Sequence, residues 1–129
     1  MKILAEISVG ELFDKITILN IKTQKINDTE KIINIKNELK FLNNQASNIN
    51  VKDQDKLRKN INKLQSINEE LWDIENHKRE CEANKNFGED FVQLSRDVHF
   101  KNDIRAQIKK EINLLTDSVI VEEKEYFKY

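Results

Sequence analysis

The chain predicts an all-α fold, a long antiparallel helical hairpin packed on shorter helices, on three observations. Apolar residues recur three and four apart along most of its length. Proline is absent and glycine occurs only twice in 129 residues. Residues able to cap a helix stand where each apolar stripe begins. Spacings of three and four place side chains on one face of a helix, and without proline or glycine few positions force a helix to stop.

Met1 to Ile7 alternates loosely (Ile3, Ala5, Ile7) and reads as a short strand or extended lead-in. Val119 to Val121 offers it a partner, giving a small two-stranded ribbon between the N- and C-terminal segments. Ser8-Val-Gly-Glu11 fits a capping box. The helix it opens carries Leu12, Ile16, Leu19 and Ile26, widened by Phe13, Ile18 and Ile21, and should stop near Asn27-Asp28-Thr29. A second helix follows with Ile32, Ile35, Leu39, Leu42, Ala46 and Ile49 as its stripe. Val51 to Asp55 is a polar break in which Asp53 can cap a third helix. That helix runs to about Ala83 with a seam of Leu57, Ile61, Leu64, Ile67, Leu71 and Ile74. The second and third helices together read as a coiled-coil-like hairpin over about residues 29–83. Asn84 to Gly88 is the clearest turn. A short fourth helix (Phe91, Leu94, Val98) and a fifth from about Asn102 to Leu115 (Ile104, Ile108, Ile112, Leu115) complete the chain. No repeat or linker divides it, so residues 1–129 form one helical domain.

Composition limits the function classes. Charged residues make up 35% of the chain but the net charge is only −1, so no global field draws it to nucleic acid or to acidic membranes. No apolar run reaches the length of a membrane span, and the first residues lack the apolar region of a secretory signal. Cys81 is the only cysteine; it rules out an internal disulfide and fits a reducing cytoplasm. With two distant histidines, His77 and His99, and one cysteine, no metal site of soft ligands within one chain is expected, and no cofactor motif is present. Cys81 shares the seam with Leu71 and Ile74 and reads as a structural thiol.

Lysine (18), isoleucine (17) and asparagine (16) are heavily used, whereas arginine occurs four times. Where lysine supplies most positive charge, a retained arginine points to a need for the planar fork that grips a carboxylate or phosphate with two hydrogen bonds. Arg79, Arg96 and Arg105 stand out on that ground.

Three helices carry polar stripes. The first offers Glu11, Lys15 and Lys22 with Asp14 beside them. The third offers Asn68, Trp72, Glu75, Arg79 and Glu82, and includes the only tryptophan. The last offers Asn102, Arg105, Lys109 and Asn113. On its own helix Arg79 lies one turn from both Glu75 and Glu82, whereas no carboxylate shares the stripe of Arg105. Packed together, these stripes would either pair into a salt-bridge network that fixes helix register, clamp an anionic small molecule, or face another protein. Glu11/Asp14 and Glu70/Asp73 have the spacing of Mg²⁺-binding carboxylate pairs in some helical enzymes, but Glu11 is also a capping residue and the second pair lies off the polar stripe.

Several blocks occur together and in order: Ser8-Val-Gly-Glu-Leu-Phe-Asp-Lys-Ile-Thr-Ile-Leu, Leu71-Trp-Asp-Ile-Glu-Asn, Arg79-Glu-Cys-Glu82, Phe87-Gly88, Asn102-Asp103-x-Arg105-Ala106 and Ile120-Val-Glu-Glu-Lys124. In these the chain resembles a family of small uncharacterised proteins of bacteria and some of their viruses, domain of unknown function 6165. The resemblance spans all but the hairpin tip, roughly residues 33–59. It implies a cytoplasmic helical protein, often encoded near genes for sugar transfer or cell-surface polysaccharide; it implies no activity. Val9 stands where relatives usually have proline and His99 where they usually have tyrosine.

The expected function is that of a binding or accessory module linked to cell-surface glycan synthesis. The alternative is a small helical enzyme acting on a phosphorylated or carboxylated substrate. A homodimer is expected, because Ile33, Ile61 and Ile74 are left over once the hairpin seam is filled.

Overall fold

The computed structural model describes all 129 residues as four helices with no strand. They are α1 (Val9–Lys25), α2 (Thr29–Ala46), α3 (Gln54–Ala83) and α4 (Glu89–Leu115). Three helix starts are fixed locally. Ser8 accepts a hydrogen bond from Glu11 N (3.1 Å), Asp28 from Lys31 N (3.1 Å) and Asp53 from Lys56 N (2.9 Å), each covering an amide with no partner inside its helix. The turn at Asn84–Gly88 is also where it was expected, with Gly88 at the α4 N-cap.

Helix pairing differs from expectation. α2 and α3 do not form a hairpin seam, because their backbones nowhere approach closely. α3 lies instead along α4 and α2 along α1, while α1 touches all three other helices. The reason lies in the direction of the α3 seam. Leu57, Leu64 and Ile67 pack with Leu12, Phe13 and Ile16 of α1 and with Ile108 and Ile112 of α4. α2 buries one side chain, Ile35, and leans Leu39, Leu42 and Ala46 on that core.

The expected break between a fourth and a fifth helix is absent. Nothing from Glu89 to Leu115 disrupts the backbone, since the stretch holds no glycine or proline, and the Asn102 side chain accepts from Arg105 Nη1 (3.3 Å) instead of capping a new helix. The ribbon is absent too. Residues 1–7 and 119–129 form no helix or strand, and neither segment makes a backbone–backbone hydrogen bond.

The core sits at one end. All buried residues of α3 lie at or before Asn68, and all those of α4 at or after Ile108. The far halves of these two helices form a lean antiparallel arm. It is tied by Lys101 Nζ to Glu70 Oε2 (2.8 Å), and at its tip Phe87 of the turn meets Phe91 of α4 edge-to-face.

Candidate functional site

The charged centre of the molecule is Asp14, 1% exposed on the inner face of α1. Leu12, Phe13 and Ile16 turn that face into the core, so Asp14 goes with them and must find partners. It finds three. Arg105 grips it with both prongs, Nε on Oδ1 at 2.9 Å and Nη2 on Oδ2 at 2.5 Å. Asn68 of α3 donates to Oδ1 at 3.0 Å and, through the same amide nitrogen, to Thr17 Oγ1 at 3.0 Å. Thr17 in turn donates to the Asp14 carbonyl (2.8 Å). α1, α3 and α4 therefore meet on one carboxylate.

Lys109, one turn beyond Arg105, extends the network. Its ammonium lies 2.7 Å from Glu11, 3.0 Å from Glu122 and 3.9 Å from Asp14. Asn113, a further turn on, accepts from Gly10 N at 2.7 Å. The backbones are close here. A Cβ on Gly10 would stand 2.6 Å from the Lys109 carbonyl oxygen and 2.9 Å from Asn113 Oδ1, so only glycine lets α1 approach α4 this closely.

The electrostatics follow from this geometry. Burial pushes the Asp14 carboxyl up, but the hydrogen bonds of Arg105 and Asn68 and the charges of Arg105 and Lys109 outweigh it and hold the group below its ordinary value. Burial lowers Lys109, and hydrogen bonds to Glu11 and Glu122 more than reverse this, leaving it raised. Glu122 is held low, chiefly by its bond to Lys109. No buried side-chain nitrogen or oxygen lacks a partner.

Of the twelve sequence candidates, Asp14, Asn68, Arg105, Lys109, Asn113 and Asn102 come together. The others stand apart. Lys15 is exposed and reaches Glu11 at only 3.8 Å; Lys22 is half-buried with no carboxylate in ion-pairing range. Glu75, Arg79 and Glu82 are exposed on the α3 arm. Arg79 lies eleven residues past Asn68, about 16 Å along the helix axis, too far to join the Asp14 network. Arg79 also pairs with neither Glu75 nor Glu82. The arginine flanked by carboxylates on its own helix is thus the free one, and the arginine with none is held by Asp14 from another helix.

Trp72 and Arg79 line an open groove of about 360 Å³ together with Ile18, Ile21, Leu71, Asn68, Glu75, Asn76 and Arg105. Four network members were not among the twelve candidates: Gly10, Glu11, Thr17 and Glu122. Each had a signal: Gly10 is one of only two glycines yet falls inside a helix, Glu11 stands on the first polar stripe, and Thr17 and Glu122 lie within the sequence blocks that carry the family resemblance. The aromatic residues near the C-terminus, Tyr126, Phe127 and Tyr129, are all exposed, although Tyr129 stacks edge-on against His99 and Phe100 and donates to Asp103. Cys81 is half-buried and free. No group of three or more His, Cys, Asp or Glu side chains is gathered to hold a metal ion, and no helix is long and apolar enough to cross a membrane.

Neither curated proteins nor solved structures provide a match to the chain. A family model does match, over residues 1–128, nearly the whole chain. The chain belongs to the Family of unknown function (DUF6165).

Proposed function

We propose that this protein is a non-catalytic binding module whose Asp14 network is structural and whose groove beside Trp72 receives an anionic ligand. One observation carries the reading: Arg79 has no carboxylate in ion-pairing range and lines, with the only tryptophan, a groove that also holds Ile18, Ile21 and Leu71. Its two-pronged guanidinium is free to meet a carboxylate or phosphate, and Ile18, Leu71 and Trp72 supply an apolar wall for the rest of the molecule. A groove of this volume falls within the range of small-molecule sites.

The alternative, catalysis on the same class of substrate, needs a group poised to move a proton near neutral pH. The two carboxylates displaced from their ordinary range, Asp14 and Glu122, are both held low. Neither is suited to act as an acid or base at pH 7, which favours the binding reading. We place the module in the cytoplasm, a location the lone Cys81 supports, and the gene neighbourhood implied by the resemblance makes phosphosugars and nucleotide sugars the first compounds to test.

The experiment is a thermal-shift screen of those compounds, with simple nucleotides and inorganic phosphate alongside. A ligand at a hundred times its dissociation constant adds about 2.7 kcal/mol of stability, about 10 °C in Tm for a chain of this size. Arg79→Gln should remove the shift while leaving the unliganded Tm in place. A ligand that stabilises wild type and Arg79→Gln equally would overturn the groove assignment.

A further inference from the structure

The accessible surface of the chain is 9630 Å² for 15.3 kDa. A folded monomer of that mass exposes about 7,100 Å². The excess, about 2,500 Å², is some three times what one partner contributes to a standard interface. Part of the exposed apolar surface lies at one end of the bundle. α1 begins and α4 ends at the same end of the bundle, where Val9 N donates to Ser118 Oγ (3.1 Å) and Gly10 meets Asn113. α2 also returns to this end, since the Lys2 ammonium lies 4.9 Å over the Phe41 ring. Exposed apolar side chains collect there: Ile3 and Leu4 (93% exposed) on the N-terminal arm, Phe41 on α2, Leu114 on α4 and Val119 (99% exposed) at the root of the C-terminal arm.

From these observations we infer that a second copy of the chain covers this end, and that the two N-terminal arms pair across the twofold axis as antiparallel strands. The arm carries no helix, and its backbone amides and carbonyls have no backbone partner, the condition for adding a strand. Its sequence is complementary to itself. Antiparallel pairing centred on Leu4 sets Leu4 opposite Leu4, and sets Lys2 of each copy opposite Glu6 of the other on the same face as Leu4. Ile3, Ala5 and Ile7 then share the opposite face. The contact is isologous and closes at two copies. It does not involve the groove beside Trp72.

Sedimentation or light scattering on the full chain tests this. Wild type should run at twice 15.3 kDa at high micromolar concentration. Leu4→Asp, which sets two carboxylates face to face on the axis, should weaken association by about tenfold or more without changing the helical circular dichroism. Lys2→Glu and Glu6→Lys should each weaken the dimer, and the two changes together should restore it, because the charge pair is only exchanged. A wild-type monomer at high concentration overturns the inference. So does a dimer indifferent to Leu4→Asp, or a double exchange that recovers nothing.

Discussion

Removing the carboxylate at Asp14 tests whether the buried charges hold the helices in register. In Asp14→Ala, Arg105 keeps its charge but loses both oxygens that its fork grips, Asn68 loses one of two acceptors, and Lys109 loses a nearby negative charge. Breaking one side of a buried pair costs about 3–5 kcal/mol. The Arg105 side chain is 29% exposed, so water can partly rehydrate it, and about 3 kcal/mol is the expected cost. Unfolding entropy for 129 residues is about 0.27 kcal/mol/K, which converts that cost into a fall in Tm of about 11 °C. Urea unfolding followed by far-UV circular dichroism, with Trp72 fluorescence as a second probe, measures it directly. A double-mutant cycle with Arg105→Ala then isolates the pair. Arg105→Ala alone leaves Asp14 buried and under-compensated, whereas the double variant removes both charges, so the two costs should fall short of adding by about 1–3 kcal/mol. An Asp14→Ala cost below about 0.5 kcal/mol, the scale of ordinary surface changes, would refute the network as the tie between α1, α3 and α4. Additive costs would refute the Arg105 pairing itself.

Other expectations follow from the same geometry. Gly10→Ala should cost about 1–3 kcal/mol despite alanine's better helix propensity, because its Cβ would stand 2.6 Å from the Lys109 carbonyl oxygen; a stabilised variant in urea unfolding would contradict that close approach. Leu64→Ala, at a side chain with 0% exposure, should cost about 2–5 kcal/mol and Leu71→Ala, half-buried on the arm, clearly less; equal losses would mean the core extends along α3 further than described. Acid should act through Asp14. Its carboxyl is held low in the fold, so its stabilising contribution is complete above the ordinary carboxylate range near about 4 and is lost as pH falls through the lowered value. The Tm of wild type should therefore drop more steeply below about pH 4 than that of Asp14→Ala, and parallel curves would exclude the linkage.

What was legible in the sequence was what is local. The caps at Ser8, Asp28 and Asp53 and the turn before Gly88 are each decided within about four residues, by which side chain can reach which free amide. Helix partnership is not local. The α3 seam of Leu57, Leu64 and Ile67 has the same spacing whether it faces α2 or the angle between α1 and α4. The choice falls to total burial, and α1 and α4 together offer seven buried apolar side chains to one from α2. The polar stripes divide in the same way. Helical periodicity placed Asn68 and Arg79 on one face but said nothing of where along α3 the core would end, and the core ends at Asn68. Arg105 shows the limit most clearly. Read along its own helix it had no carboxylate and looked free for a ligand, yet its partner lies 91 residues away on α1. A charge on a helix can be weighed locally only if solvent surrounds it. Once the face is buried, the partner comes from whichever helix the core selects, and the arginine left open to a ligand is the one the core does not reach. Of the two exposed arginines without an ion pair, Arg79 and Arg96, only Arg79 lines the groove beside Trp72, which makes its substitution by glutamine the comparison between a groove that binds and a surface that merely carries charge.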